Sequence, residues 1–273
     1  MLYLKTKDGI TMKTVAFIGT GNMGSALARA AARSGAADRL LLANRTPENA
    51  RRLAEELGVE VCDNRIAAAE ADVLFFGVKP QMLDAMLAGI RDTLAARTKR
   101  VVIVSMVAGK DLQTLETLLD GLPVVRVMPN IPVAAGCGVT LLTASERVTA
   151  EEKAYVRTLL AASGAVEELD EHLLDAATGV TGCGPAYAAM FVEALADGAV
   201  ACGLPRKDAL AYSARMLMGT AQMLLETGEH PGALKDRVCS PAGSTIQGVR
   251  TLEQRGFRAA VMDAVIASWE KEF

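Results

Sequence analysis

The sequence predicts a doubly wound parallel α/β sheet followed by an all-helical unit. Three observations carry that expectation. From Lys13 to about Glu168 short β-rich runs alternate with helical patterns. Several of those runs are continuously apolar, as strands covered on both faces of a parallel sheet are. After about Leu169 the alternation stops and only helical patterns follow.

The elements follow in order. TVAFIG, from Thr14, is the first strand, and NMGSALARAAARSG is the helix after it. RLLLAN is the second strand. PENARRLAEELG is an amphipathic helix whose Pro47 suits a first helical position. DVLFFGV, RVVIVSM, VVRVMPN, GVTLLTA and GAVEEL continue the β series. Helices are then expected over Pro185 to Cys202, Pro205 to Thr227 and Pro231 to Val238, with two more beyond the interruption SPAGST. This divides the chain into an N-terminal extension over residues 1–12, a sheet domain over 13–170 and a helical domain over 171–273. The extension MLYLKTKDGIT lacks the apolar centre of a signal peptide, and Met12 before Lys13 reads as an alternative start. The first two long helices are rich in Ala, Met and Leu around much of their circumference. Such faces are expected to be buried against another chain, the alternative being packing onto the sheet domain.

Composition narrows the function. A chain of 273 residues with 51% hydrophobic and 22% charged residues has ample material for a core. A net charge of −3 without a basic run argues against nucleic acid or an anionic membrane as partner. No apolar stretch reaches the roughly 18 residues of a membrane span. Five scattered cysteines and two histidines form no metal-ligand pattern, so no metal is expected. The odd cysteine number reads as reduced thiols in a cytoplasm.

The chemistry begins at Gly19-Thr20-Gly21-Asn22-Met23-Gly24, which follows Ile18 at the end of the first strand and opens the first helix. GxGxxG alone is a weak signal, but strand before and helix after are the context of a dinucleotide site in a Rossmann-type sheet. Gly19 permits the turn, Gly21 admits a diphosphate to the backbone, and Gly24 allows close strand–helix packing. The phosphates would meet the positive end of the helix. Twenty residues beyond Gly24 comes Asn44-Arg45-Thr46, where a free ribose 2′-hydroxyl would meet Asp or Glu. An amide, a guanidinium and a hydroxyl suit a 2′-phosphate instead, which favours NADPH over NADH. Arg45 as a solvated loop charge is the alternative. Val78-Lys79-Pro80 and Met106-Val107-Ala108 end two further strands and face the same crevice, and Asn64 joins the candidate cofactor contacts. Lys79 is read as a cofactor contact, with catalytic acid and ordinary loop lysine as alternatives. Met128-Pro129-Asn130-Ile131-Pro132 is a stiff segment that could wall the nicotinamide.

A dinucleotide domain alone does not choose a reaction. The β-hydroxyacid dehydrogenases share this plan and carry a GxxGxGxxxK motif whose lysine removes the hydroxyl proton. Here Gly179, Gly182 and Gly184 match, but Ala188 stands at the lysine position, so that base is absent. A protonated cyclic imine needs no such base, only orientation against the cofactor. The stretches FIGTGNMGSALA, DVLFFGVKPQ, MPNIP, TGVTGCGPAYA, DGAVACGLPR and HPGALKDRVCSPAGSTIQGVRTLEQRGFRAAVMDAV resemble the pyrroline-5-carboxylate reductase family from Val15 to the C-terminus. The resemblance implies reduction of 1-pyrroline-5-carboxylate to L-proline with NAD(P)H at the end of proline biosynthesis. It also implies an interlocked helical homodimer, often assembled into a ring-like decamer. The family often has Ser at the positions of Thr181 and Cys183, and Gly at that of Ala242. A ketone or hydroxyacid reductase using Lys79 or Tyr187, and a non-enzymatic NADPH-binding scaffold, are the alternatives.

The break Val238–Gly248, VCSPAGSTIQG, then gains a role. A carboxylate-bearing substrate needs an anion site, and a helix N-terminus opened by Pro241-Ala242-Gly243 presents unpaired N–H groups. The resemblance places substrate contacts at Gly243, Ser244 and Thr245, with Thr245 the candidate catalytic side chain. Simple helix capping by Ser or Thr is the alternative reading.

Overall fold

A computed structural model describes residues 13–272, so the expected extension 1–12 lies outside the described residues. The chain divides into two compact units, the first ending at Gly182 and the second beginning at Cys183.

The first unit is built on an eight-stranded sheet of β1 (Thr14–Ile18), β2 (Arg39–Ala43), β3 (Glu60–Val61), β4 (Val73–Phe76), β5 (Val102–Ser105), β6 (Val124–Pro129), β7 (Gly138–Ala144) and β8 (Gly164–Glu168). Their order is β3-β2-β1-β4-β5-β6-β7-β8. Helices α1 (Asn22–Ser34), α2 (Pro47–Leu57), α3 (Asn64–Glu70), α4 (Leu83–Ala95), α5 (Leu112–Leu118), α6 (Ala150–Leu160) and α7 (Glu171–Thr181) complete it. Because side chains alternate along a strand, β1 sends Val15 and Phe17 to one face and Ala16 and Ile18 to the other. The first face packs on α1, α2 and α6, the second on α3, α4 and α5. Phe17 and Phe75 stack on neighbouring strands with ring centroids 4.2 Å apart.

The predicted architecture holds, with three differences. The strand pair β6–β7 is antiparallel, while the other neighbouring strand pairs are parallel. Residues 130–137 between β6 and β7, with a short 3-10 turn over Ile131–Ala135, are too few for a crossover, so the chain returns beside itself. The two-residue β3 is an exposed edge strand absent from the sequence reading. Helix α7, also unread as a separate helix, lies within the first unit. It is tied to β6 where Arg126 meets Glu171, and to the connection after β6 where Asn130 Nδ2 donates to Thr181 O (3.0 Å).

The second unit is α8 (Gly184–Ala201), α9 (Arg206–Thr227), α10 (Pro231–Val238), α11 (Ser244–Gln254) and α12 (Phe257–Glu272). Pro185 and Pro231 sit in the first turns of α8 and α10, where their missing N–H costs nothing. His230 Nδ1 accepts from Gly232 N–H (3.1 Å) to cap α10. Arg206 of α9 pairs with Asp197 of α8. Among the described residues of this unit, those buried are Ala196, Ala209, Ser213 and Leu234. Met190, Met218, Leu225 and Met262 are more than half exposed. A unit with so small an interior leaves its apolar faces uncovered in the single chain. No helix among the described residues is long and apolar enough to cross a membrane.

Candidate functional site

Sheet register assembles the first group of candidates. Ala43, Ile18, Phe76 and Ser105 stand side by side across β2, β1, β4 and β5. The segments after those strands, Asn44–Thr46, Gly19–Gly24, Val78–Pro80 and Met106–Ala108, therefore emerge together at the carboxyl edge. The strand order reverses between β1 and β4, and ligands of open α/β sheets bind at such a point.

Three glycines close that point. Gly19 has φ +101°, a conformation that disfavours any other residue, and a Cβ there would lie 2.6 Å from the Gly77 carbonyl carbon. A Cβ on Gly24 would fall 2.0 Å from Gly19 O, and one on Gly77 2.4 Å from the same oxygen. Strand β1, helix α1 and the end of β4 thus meet backbone to backbone. Gly77 was missed in the sequence, where it reads as an ordinary strand end.

Gly21 behaves differently. A Cβ there would meet nothing within 4 Å, and Gly21 is the N-cap of α1 with no side chain capping the helix. Open space over bare N–H groups at the positive end of a helix fits a diphosphate. The surrounding loop is braced from below. Thr20 N–H donates to Asn44 Oδ1 (3.1 Å), Asn44 Nδ2 donates to Thr46 O (2.9 Å), and Ser25 Oγ donates to Thr20 O (2.8 Å). Asn44 is accordingly engaged in holding the two turns together. Arg45 and Thr46 are exposed, and Thr46 makes no side-chain cap to α2. The guanidinium and hydroxyl are thus presented at the end of β2, where a 2′-phosphate would lie. Asn22 and Lys79 are exposed, Asn64 and Val78 half-buried, and Pro80 opens a 3-10 turn. Ile18 is buried and contributes only backbone, its carbonyl accepting Gly77 N–H (2.8 Å).

The loop after β5 completes the edge. Met106 N–H donates to Phe76 O (3.2 Å) and Val107 N–H to Ser105 Oγ (3.3 Å), while Ala108 is exposed. Asp111 caps α5 by accepting Thr114 N–H (2.7 Å). Hydrogen bonding from Thr114 holds the Asp111 carboxyl below the usual carboxylate range, and the nearby Arg126 charge adds to the effect.

The second group lies at the start of α11. Gly243 N–H donates to Ser240 O (3.0 Å), closing a tight turn in which Ala242 has φ +58°. Positive φ at the third place, after Pro241, is the pattern of a type II turn, which favours Gly. The family's usual Gly at this position thus has a physical reason, and Ala242 departs from it at a conformational cost. Gly243 is the N-cap, and no side chain caps the helix. Ser244 and Thr245 occupy its first turn and are exposed. The capping alternative is therefore not what the structure contains, and the free N–H groups of this turn stay available to an anion.

A shallow depression of about 820 Å³ lies elsewhere, lined by Thr14, Arg39, Glu70, Asp92 and Arg97. Its arginines are already engaged, Arg39 with Glu60 and Glu70, Arg97 with carbonyls of Ala68 and Ala71. Thr14 and Arg39 begin β1 and β2, so it sits at the edge opposite the candidates.

Comparison with known proteins agrees with both halves. Residues 171–272 match a family profile described as pyrroline-5-carboxylate reductase dimerisation. Residues 14–109 match one described as NADP oxidoreductase coenzyme F420-dependent. The chain is 40% identical to a pyrroline-5-carboxylate reductase of Methanosarcina acetivorans, covering 94% of this chain and 96% of the relative. Identity to the enzyme of that name in Escherichia coli is 39%, covering 95% and 97%. Among solved structures, a pyrroline-5-carboxylate reductase of Coxiella burnetii superposes with a TM-score of 0.88 at 28% identity, covering 96% of this chain and 98% of the other. A Plasmodium falciparum pyrroline carboxylate reductase, solved with NADP bound, gives 0.83 at 29% identity, covering 95% and 97%.

Proposed function

The chain belongs to the pyrroline-5-carboxylate reductase family, and from that premise we propose how its own residues perform the family's reaction. It is an NADPH-dependent oxidoreductase that reduces 1-pyrroline-5-carboxylate to L-proline. The observation that carries this reading is similarity over nearly the whole chain, helical half included, since a dinucleotide domain alone would not select a substrate.

The bound nicotinamide nucleotide supplies a hydride, and the substrate imine, protonated on nitrogen, supplies the electrophilic carbon. The chain's task is to hold and orient. The Gly19–Gly24 turn holds the diphosphate through N–H groups, with Gly21 leaving it room. Arg45 and Thr46 engage the 2′-phosphate, and Asn44 keeps their turn in place. Lys79 and the Met106–Ala108 loop bound the nicotinamide end. Gly243 N–H is taken up by Ser240 O, so within the Gly243–Thr245 turn the N–H groups of Ser244 and Thr245 hold the substrate carboxylate, assisted by the Ser244 hydroxyl. The Thr245 hydroxyl orients the ring nitrogen. No base is required, in keeping with Ala188 at the place where hydroxyacid dehydrogenases carry lysine.

The dimerisation profile and the uncovered apolar faces of α8 and α9 support a homodimer formed through the helical domain, residues 171–273. We extend this to a ring-like decamer in the cytoplasm, with residues 13–170 serving as the dinucleotide domain. The test of the reaction is NADPH oxidation with pyrroline-5-carboxylate against a panel of ketoacids. Turnover confined to the cyclic imine supports the proposal. Turnover of ketoacids alone, or of neither, overturns it.

A further inference from the structure

One buried charge in the first unit has no part in the reaction as described. Arg126 lies in the middle of β6, and its side chain is only 4% exposed. A guanidinium so enclosed persists only if it is paired. Its Nη1 donates to Glu171 Oε1 (3.1 Å) and its Nη2 to Asp175 Oδ1 (3.4 Å), both on α7. Among the described residues no acceptor reaches its Nε.

Glu171 does more than neutralise it. The same Oε1 accepts the N–H of Leu112 (2.7 Å), the first residue of α5. One carboxylate oxygen therefore joins β6, α7 and the far end of the loop after β5. That loop is pinned at its near end by Met106 N–H on Phe76 O and Val107 N–H on Ser105 Oγ. Between the two anchors run Ala108, Gly109 (φ +68°) and Lys110, which are not buried. Asp111, next to the far anchor, feels the Arg126 charge as well. Without the Glu171 contact the far end of the loop loses its tie to β6 and α7.

We infer that Arg126 is a positioning residue of the cofactor site: acting through Glu171, it fixes the loop Met106–Leu112 that bounds the nicotinamide. Arg126 touches neither cofactor nor substrate in this account. The inference rests on the proposed placement of Met106–Ala108 against the cofactor, and it predicts a defect of a particular kind. Loosening one wall of the nucleotide site weakens NADPH, and it leaves the substrate's own carboxylate turn untouched.

The experiment compares Glu171→Ala, Glu171→Gln and Arg126→Lys in the full-length protein. NADPH dissociation constants come from nucleotide fluorescence titration, and steady-state KM values are taken for both ligands. Glu171→Ala should raise the NADPH Kd and KM about tenfold, the scale of one lost charge-assisted contact, while the imine KM stays within about twofold. Glu171→Gln keeps an acceptor for Leu112 N–H and should fall between Glu171→Ala and wild type. Arg126→Lys keeps the charge but reaches one carboxylate at a time, and it should retain most of the wild-type affinity. Unchanged NADPH Kd in folded Glu171→Gln and Glu171→Ala overturns the inference, as does an equal rise for both ligands. The titration needs no turnover, so a wild type that binds NADPH without reducing the imine would sink the proposed reaction and leave this test standing.

Discussion

Two glycines one strand apart should respond oppositely to the same added methyl group. Gly21 has φ −71° and ψ −168°, which alanine adopts freely, and its Cβ would meet no atom within 4 Å. Gly21→Ala should stabilise the free protein by about 0.4–1 kcal/mol, through reduced freedom of the unfolded chain. At about 2–4 °C per kcal/mol for a unit of this size, its melting temperature rises by about 1–4 °C. Gly77→Ala puts a Cβ 2.4 Å from Gly19 O and 3.3 Å from Gly24 Cα, both backbone atoms that cannot swing aside. Restoring an ordinary 3.4 Å contact requires a shift of about 1 Å (3.4 − 2.4), which costs about 1–3 kcal/mol in a close-packed interior. Its melting temperature should fall by about 2–12 °C. Both variants should bind NADPH about 10- to 100-fold more weakly, Gly21→Ala because the methyl occupies the diphosphate's space and Gly77→Ala because the turn moves. Calorimetry of the free protein and fluorescence titration with NADPH give the four numbers. Wild-type NADPH affinity in Gly21→Ala would refute the placement of the diphosphate. An unchanged melting temperature in Gly77→Ala would refute the three-glycine contact.

Arg45→Asp should raise the KM for NADPH far more than that for NADH, by the roughly 1.5–3 kcal/mol of a charge-assisted pair with the 2′-phosphate; equal losses would show that Arg45 does not read that phosphate. Thr245→Ala should lower kcat/KM about 10- to 100-fold with NADPH affinity unchanged. Because Gly243 is the cap, its melting temperature should stay put, and Thr245→Ser should restore most activity. A drop in melting temperature without loss of kcat/KM would reverse that assignment. Ala242→Gly should stabilise the protein by about 1 kcal/mol by relieving the left-handed backbone at φ +58°. An unchanged denaturation midpoint would count against strain there. Met216 is 48% exposed in the single chain, and Met216→Asp should cost several kcal/mol once a second copy covers it. Sedimentation as a fully active assembly would contradict that cover.

The Gly19–Gly24 turn was legible because its glycines sit between a recognisable strand and helix, so the pattern that marks it is local. Gly77 was not, because its importance lies in contact with Gly19 and Gly24 across the sheet, which no local spacing records. The direction of β7 was hidden for a related reason. Apolar runs report burial and say nothing of strand sense, and only the brevity of residues 130–137 carried the information. Arg126 stood within VVRVMPN as a lone charge in an apolar strand. Its partners are 45 and 49 residues further on, on a helix whose own pattern, EHLLDAATGVT, is interrupted by Gly179. The break before α11 was legible from Pro241 and Gly243, and family likeness proposed its role toward the substrate. Its backbone, with Gly243 as cap and Ala242 left-handed, is a property of the folded turn that the residue pattern does not record.

Both apolar clusters of the first unit are complete by Val166, and α7, which adds buried Leu174 and the carboxylates that pair Arg126, ends at Thr181, so nothing from α8 onward is needed to close its interior. During synthesis the nucleotide-binding half can therefore fold while α8 to α12 are still being made, as leading domains commonly do. The trailing helices bury almost nothing in one chain and wait for a second copy. Maturation then has a first stage independent of how much protein is present and a second that accelerates with its abundance. In the interval a newborn chain has its dinucleotide-binding unit folded while its helical faces are still uncovered. The supply of that dinucleotide, by favouring the folded first unit, bears on how many such chains survive to pair.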